Sequence, residues 1–449
     1  MNATAVDTIS DRDFALDGIP NFLEMINFYI VFLAGTLAGA AGVGGGAIYV
    51  PLYIVLFGLV YEAIPLSKAA VFGAAIAFFI GNIVTPVPKS TKHVNRFAYD
   101  AIMVMEPSTL LGTVFGVLAS RVTPYWLITL LMALLLAFSA TKTFLKGNKL
   151  FRKETETIVR RQSSEENLSS SVSTGLVSNG SQSNSYYATD ILSDGPNRVL
   201  IDDAYPSDWL GLRCGVTVGI CFFTVLAAAI VADDQIMPAY TRVDCGSIEF
   251  WGLIVLNTLI IGGVTVWNVT FLMNNSERLS HQCAVFWSHE AGIKYSVLCL
   301  AAGFMSALCG IGGSTIKGPI LLEMGLHPTL SKATSQLMLL STVSSSAFQF
   351  YLSGELPPVY GMIFFTIGIL GGYTGKWLVD KYVEWDGRQS TIVYLLAWYI
   401  VVAAVIMTSI GIIIVLGQFS PTINWEQLWF RGVCDELPQD MAALKWLSK

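Results

Sequence analysis

Charge is what this sequence has least of. Asp, Glu, Lys and Arg make up only 13% of its 449 residues, about half the share of an ordinary soluble domain. Histidine occurs four times, and the one His-Glu pair, His289-Glu290, has no second histidine three positions after the glutamate. The helical zinc-protease signature therefore fails. No Gly-x-x-x-x-Gly-Lys-Ser/Thr stretch exists to cradle a nucleotide phosphate, which argues against a primary pump built into this chain. The seven cysteines never fall as Cys-x-x-Cys, so neither redox nor metal chemistry is expected. "GGST" at 312–315 follows no strand and has no placed histidine partner, so it is not a nucleophile elbow. Together these absences predict a chain that is not an enzyme and has no cofactor, no metal and no nucleic-acid partner. Residues 1–24 lack the basic start of a signal peptide.

Apolar length takes the place of charge. Hydrophobic residues are 53% of the chain, and full-length apolar windows occur at 67–86, 101–120, 124–143, 209–232, 250–272, 331–352, 359–378 and 391–417. Each approaches the roughly 20 residues needed to cross a bilayer core. The expected fold is an all-α polytopic membrane protein, with the lipid bilayer as its first partner. Two further apolar runs, 26–60 and 295–325, are each cut near the middle by glycines. Residues 146–208 differ in kind. They open basic (Lys146, Lys149, Arg152, Lys153, Arg160, Arg161) and then carry eleven serines between 163 and 193. Such a composition buries too little apolar surface to fold and predicts a disordered loop.

The two cut runs resemble each other. "GTLAGAAGVGGGAIYVPL" begins at Gly35 and "GFMSALCGIGGSTIKGPI" at Gly303; small residues stay in register and Pro51 matches Pro319. Ser-Lys-Ala follows each, at 67–69 and 331–333. Leu111-Gly112 with Gly116 then matches Leu370-Gly371 with Gly375. The chain thus divides into an N-terminal segment 1–25, a first repeat 26–145, a Ser-rich cytosolic loop 146–208, two linking helices in 209–294, a second repeat 295–417 and a tail 418–449. Lys and Arg mark cytoplasmic loops. They sit at 87–99 and 142–161 in the first half. In the second half the matching loop "YLSGELPPVY" has none, and the loop matching the short Arg121 turn is expected to be the basic one instead, with Lys376, Lys381 and Arg388. A bias that swaps sides between copies predicts an inverted repeat, with its two-fold axis in the membrane plane. Both termini then lie outside. Cys245 and Cys434 are the two cysteines on that oxidising side, where a disulfide between them would need the tail to reach the outer loop.

Glycines inside so apolar a run make sense if each run enters and returns on one side through a non-helical elbow. The arms, 26–42 and 47–60 in the first copy, would be half-helices of roughly 20–25 Å. Irregular backbone at membrane depth is tolerated only when buried in protein or lining a wet cavity. The arm that follows the elbow would aim unpaired N–H groups and a positive dipole end at the midplane, a place for an anion.

The motifs "GVGGGAIYVP", "GIGGSTIKGP", "LLEMGLHPTLSKAT" and "MEPSTLLGTVFGV" resemble the TauE/SafE sulfite exporter family, also called toluene sulfonate uptake permeases, over about 26–145 and 290–417. The resemblance implies a secondary transporter of sulfur-containing anions, sulfite or an organosulfonate, and the serine loop is closer to the eukaryotic members. Ser314 departs from the glycine usual there in the family.

The candidate substrate site therefore comprises Gly44, Gly45 and Gly46 with Gly312, Gly313 and Ser314. Pro51 and Pro319 are structural partners of the two motifs. Lys317 is either a fixed cation at this site or a snorkelling lysine. Glu106 is a candidate carrier of a coupling proton, or else a cap at the cytoplasmic mouth. Ser341, Ser344 and Ser345 share a helix face, which either lines the path or packs closely; Asn82, Thr334 and Gln336 stand in the same position. A membrane receptor or scaffold signalling through the serine loop, and a carrier or channel for a different small anion, are the alternatives. The compartment is plasma membrane or endomembrane, and the oligomeric state is open.

The orientation is directly testable. In a background without other accessible cysteines, Ala5→Cys and Lys445→Cys should react with an impermeant maleimide on intact cells, and Gly175→Cys only after permeabilisation. Labelling at 175 in intact cells would invert the arrangement.

Overall fold

The computed structural model describes residues 22–57, 59, 62–84, 97–173, 207–231, 247–275, 287–310, 313–326, 328–352, 354–386, 390–418 and 432. All regular structure among them is helical. In chain order the helices are α1 Phe22–Ala41, α2 Gly46–Phe57, α3 Ala63–Val84, α4 Tyr99–Val122, α5 Tyr125–Ser173, α6 Ser207–Val231, α7 Ile248–Asn274, α8 His289–Leu308, α9 Ser314–Glu323, α10 Pro328–Leu352, α11 Pro358–Asp386 and α12 Ser390–Gln418. The apolar windows of the sequence each become one helix, and each glycine-cut run becomes two. The protein is an all-α, multi-pass integral membrane protein. Ala63–Val84, Tyr99–Ser120, Leu127–Lys149, Ile248–Asn274, His289–Leu308 and Pro358–Tyr382 are each long and apolar enough to cross a membrane. α10 is as long as these but carries buried Ser331, Thr334, Ser335, Gln336, Thr342, Ser345 and Ser346. A helix so polar needs protein around it rather than lipid.

Two expectations are corrected. The arms before the elbows, α1 and α8, are 20 residues each, about 30 Å; only α2 and α9, of 12 and 10 residues, are half-helices. The first arm of the second run starts at His289, capped by Ser288 Oγ accepting from Ala291 N–H. Its first turn is polar, so apolar length alone underestimates it. The loop expected from 146 is the second. α5 runs unbroken to Ser173. Helix extension gains one hydrogen bond per residue fixed once a segment is nucleated. α5 is anchored by Phe144 and Phe151 against Tyr394 of α12, contains no proline and sets Arg152 four residues before Glu156, a favourable spacing. Residues 174–206 and the pair Cys245 and Cys434 lie outside the described residues.

The packing is exchanged between the repeats. α1 lies along α11, and its counterpart α8 lies along α4. Both pairs are parallel: Gly35 and Gly39 approach Gly371 and Gly372, while Gly112 and Gly116 approach Leu300 and Phe304. Counterpart helices instead meet antiparallel. Phe72 and Asn82 of α3 face Phe348 and Gln336 of α10. Phe144 and Phe151 of α5 face Trp398 and Tyr394 of α12. Counterparts that run antiparallel while each repeat donates a helix to the other are what an inverted two-fold produces. α7 stays at the edge, burying only Asn257, Ile261, Asn268 and Leu272.

Glycine makes the parallel crossings possible. A Cβ at Gly112 would overlap the Leu300 carbonyl oxygen, one at Gly303 the Thr109 carbonyl oxygen and one at Gly375 the Thr36 carbonyl oxygen. These are small-residue contacts of the kind that let helix backbones touch in membranes. Gly112→Ala should therefore lower the thermal midpoint of the detergent-purified protein, by overpacking worth about 1–3 kcal/mol. Gly262→Ala, where a Cβ meets nothing within 4 Å, should be neutral or stabilising by up to about 1 kcal/mol of helix propensity. Equal midpoints for the two would show that the crossing does not depend on the missing side chain.

Candidate functional site

The first elbow begins with a helix stop. Gly42, at φ +76°, follows the last residue of α1. Its N–H bonds the Gly39 carbonyl at 3.0 Å and Val43 N–H bonds the Ala38 carbonyl at 3.2 Å, the paired bonds of a Schellman motif. Gly44 at φ +81° and Gly45 at φ +102° continue the turn, and the Gly45 carbonyl accepts from Ile48 and Tyr49 to open α2. These backbone angles disfavour any residue with a Cβ. The space beside the glycines is not an open cavity, however. A Cβ at Gly44 would stand 2.6 Å from Val71 Cγ1, and one at Gly45 2.6 Å from the Tyr49 ring. The Tyr399 phenol, carried by α12, sits beside the N–H groups of Ala47 and Ile48. The start of α2 is thus covered by aromatic side chains.

The second elbow repeats the device. Gly310 has φ +71° and Gly313 caps α9, its carbonyl accepting from Ile316 and Lys317. Gly313 itself is in ordinary helical conformation; Gly312 lies outside the described residues. Pro51 and Pro319 each occupy the sixth position of their half-helix. A proline there removes one helical hydrogen bond, and the Thr315 carbonyl released by Pro319 accepts Ser139 Oγ at 3.5 Å. The elbows touch through Ser314, whose Oγ donates to the Val43 carbonyl at 3.0 Å.

Lys317 and Glu106 form one buried unit. Lys317 Nζ lies 2.6 Å from Glu106 Oε2, and both side chains are fully buried. Thr342 Oγ1 accepts from Lys317 at 2.9 Å and donates to Glu106 Oε1 at 2.7 Å, although the same hydroxyl also lies 2.8 Å from the Met338 carbonyl. Ser341 Oγ donates to the same carboxylate oxygen at 2.7 Å. The lysine is therefore neither snorkelling nor a free cation at the elbow. Its charge is cancelled by Glu106, which is buried among helices rather than capping a mouth. Ser341 belongs to this cluster. Ser345, one turn on, accepts from Gln349, and Ser344 bonds back to the Ser341 carbonyl.

A second cluster, named from the sequence only at Asn82 and Gln336, joins them to two lysines and the partly exposed Asp380. Lys376 Nζ bonds Asn82 Oδ1 at 2.8 Å and Asp380 Oδ2 at 2.9 Å. Asn82 Nδ2 donates to Gln336 Oε1 at 2.8 Å, and Lys332 Nζ stands 3.6 Å from Asp380. Lys68, in the first copy of Ser-Lys-Ala, is fully buried and donates to the Ser306 carbonyl of the other repeat at 2.9 Å. Its neighbour Ser67 lies 3.3 Å from the Gly310 carbonyl at the second elbow. Lys332 in turn sits at the first elbow, its Cε 3.0 Å from where a Gly42 Cβ would be. The available signal was the recurrence of Ser-Lys-Ala itself: a lysine kept at one place in both membrane-embedded copies needs a reason. A narrow crevice lies here, lined by Ala41, Gly42 and Val43, by Ser314 and Gly318 of α9 and by Ser331, Lys332 and Ser335 of α10.

The chain matches the family model described as Sulfite exporter TauE/SafE over residues 27–181 and 295–430. Sulfite exporter TauE/SafE family protein 2 of Arabidopsis thaliana is 28% identical, over 85% of this chain and 81% of that protein. Family protein 5 of the same plant is 27% identical, over 85% and 82%. Family protein 3 is 25% identical, over 92% and 83%. No solved structure matches.

The buried pair makes a stability prediction. Lys317→Met leaves Glu106 without its cation, and losing one partner of a buried pair costs about 3–5 kcal/mol. Adding Glu106→Gln should recover most of that loss in thermal unfolding of the purified protein. A double variant no more stable than Lys317→Met would mean that the charge is not what binds these helices.

Proposed function

The chain belongs to the sulfite exporter TauE/SafE family, and we propose that it is a secondary transporter of small sulfur-containing anions, sulfite or an organosulfonate. One observation carries the reading beyond membership of a transporter family: two glycine elbows, one from each inverted repeat, touch at Ser314 and Val43, and a buried lysine of the opposite repeat attends each. Lys68 donates beside the second elbow and Lys332 reaches the first. An anion brought there loses hydration. The two lysines, one from each repeat, replace part of that shell. The curated relatives are named for sulfite export, which supports the same substrate class.

Alternating access follows from the exchanged packing. α1 travels with α11 and α8 with α4, so one pair rocking against the other would open the elbows to one side at a time. Glu106 is the proposed site of proton coupling. Protonating it would leave Lys317 unpaired in an apolar interior and so bias the packing of α4, α9 and α10. The protein would act in the plasma membrane or an endomembrane, with 146–208 in the cytosol.

Reconstitution tests the reading. Liposomes carrying the purified protein should accumulate labelled sulfite, and Gly45→Val should abolish uptake while leaving expression and insertion intact. Valine at φ +102° is strained and its Cβ would press on the Tyr49 ring. Wild-type uptake by correctly inserted Gly45→Val, or no sulfite or sulfonate uptake by the wild type, would remove the elbow mechanism or the substrate class respectively.

A further inference from the structure

The two lysines of the repeated Ser-Lys-Ala are not equivalent. Lys68 is held by a direct 2.9 Å bond to the Ser306 carbonyl. Lys332 makes no hydrogen bond: its Nζ is buried, and its contact is the 3.6 Å ion pair with Asp380. Beside it, Gln336 is fully buried and gives its carbonyl oxygen to Asn82, while its Nε2 donates to nothing. Burying a donor in this way costs free energy unless something accepts from it. Both groups converge on one place. A Cβ on Gly42 would lie 2.8 Å from Gln336 Nε2 and 3.0 Å from Lys332 Cε, and Gly42 and Lys332 both line the crevice under the first elbow. The hydroxyl-bearing Ser331 and Ser335 line it too, while Leu322, Val393 and Leu396 give it an apolar wall.

The charge of this place can be counted. Lys332 and Lys376 are positive and Asp380 is negative, a formal charge of plus one. The Lys317–Glu106 pair adds none. We propose that the crevice under the first elbow binds the transported anion, that Lys332 and Gln336 are its ligands, and that the single net charge selects monovalent over divalent oxyanions. The inference rests on the transporter reading and narrows it to a place and a valence. One anion neutralises the site; the crevice holds only about 20 Å³ in this conformation, so the Lys332 ammonium and the Gln336 amide must part from Gly42 to donate to it. A divalent anion would leave one negative charge uncompensated in the crevice, where partial burial makes it costly. Lys376 and Asp380 act as positioning residues. Their pairing, with Asn82 between Lys376 and Gln336, holds the Gln336 amide beside Gly42, itself part of the crevice wall, and Asp380 holds Lys332 at its edge.

Competition in reconstituted full-length protein tests this. Methanesulfonate carries one charge at all physiological pH values and sulfate carries two, so each is scored for inhibition of labelled sulfite uptake. In the wild type methanesulfonate should inhibit at least about tenfold more strongly than sulfate. Lys332→Met should weaken inhibition by both. Gln336→Leu, which changes no charge, should weaken both and leave their ratio unchanged. Asp380→Asn raises the formal charge of the site to plus two and should shift the ratio about tenfold toward sulfate. Lys142→Met, on an exposed lysine that meets Glu323 and the Phe138 ring, should match the wild type. Wild-type inhibition constants in both Lys332→Met and Gln336→Leu would overturn the site, and an unchanged ratio in Asp380→Asn would overturn the valence rule. In either case sulfite uptake by the wild type leaves the transporter reading standing. Absence of that uptake brings down the reading and this inference together.

Discussion

A helix broken inside a bilayer must find protein partners for the backbone groups that the break releases, because lipid offers none. That constraint shapes this molecule. At the first elbow the released groups turn inward on each other, through the paired bonds of Gly42 and Val43 to Gly39 and Ala38. At the second, the Thr315 carbonyl takes Ser139 Oγ, while Ser67 Oγ, nearer the Ile64 carbonyl at 2.7 Å, lies 3.3 Å from the Gly310 carbonyl. The elbows then satisfy each other through Ser314 and Val43. A break solved this way brings helices of both repeats to one place. Their crowding there explains why α10 tolerates so many buried hydroxyls.

Close approach is the second condition. The parallel crossings of α1 with α11 and of α4 with α8 put backbone against backbone, and glycine at 35, 39, 112, 116, 303, 371 and 375 gives the necessary room. The elbow glycines have a different task. Gly42, Gly44, Gly45 and Gly310 hold positive φ, and side chains of the surrounding helices fill the volume next to them. One residue type thus meets two unrelated demands, touching backbones in the helices and left-handed turns between them.

Charge is the third. Few charges are buried in the described core: Lys68, Asp100, Glu106, Lys317 and Lys376, with Lys332 nearly so and its partner Asp380 partly exposed, and two of their arrangements differ in sign. Lys317 and Glu106 cancel, with Thr342 and Ser341 completing the carboxylate's bonds. Lys332, Lys376 and Asp380 do not cancel. A neutral buried pair holds helices together, whereas the uncancelled cation beside an unbonded amide donor is the site proposed for the anion. The inverted two-fold is therefore broken at these charges. Tyr49 sits where the aligned motifs put Lys317 in the other repeat.

The sequence alone determined where most of the helices lie. Long apolar windows, their glycine interruptions and the recurrence of Gly-rich motif, Ser-Lys-Ala and Leu-Gly in one order locate the helices and the inverted repeat, because crossing a bilayer demands length and apolarity that can be read residue by residue. Lys317 and Glu106 were also legible as unusual, since a charge at that depth needs a partner. That they are each other's partner, 211 residues apart, was decided by the tertiary structure, as were the Asn82, Gln336 and Lys376 chain and the covering of α2 by Tyr399. The helical course of α5 to Ser173 was settled in the same way, by anchoring against α12 rather than by the polar composition of its end. Each depends on which faces of distant helices meet. That is set by how closely glycine lets backbones approach and how the elbows aim their arms, and neither is written in the local pattern of any one segment.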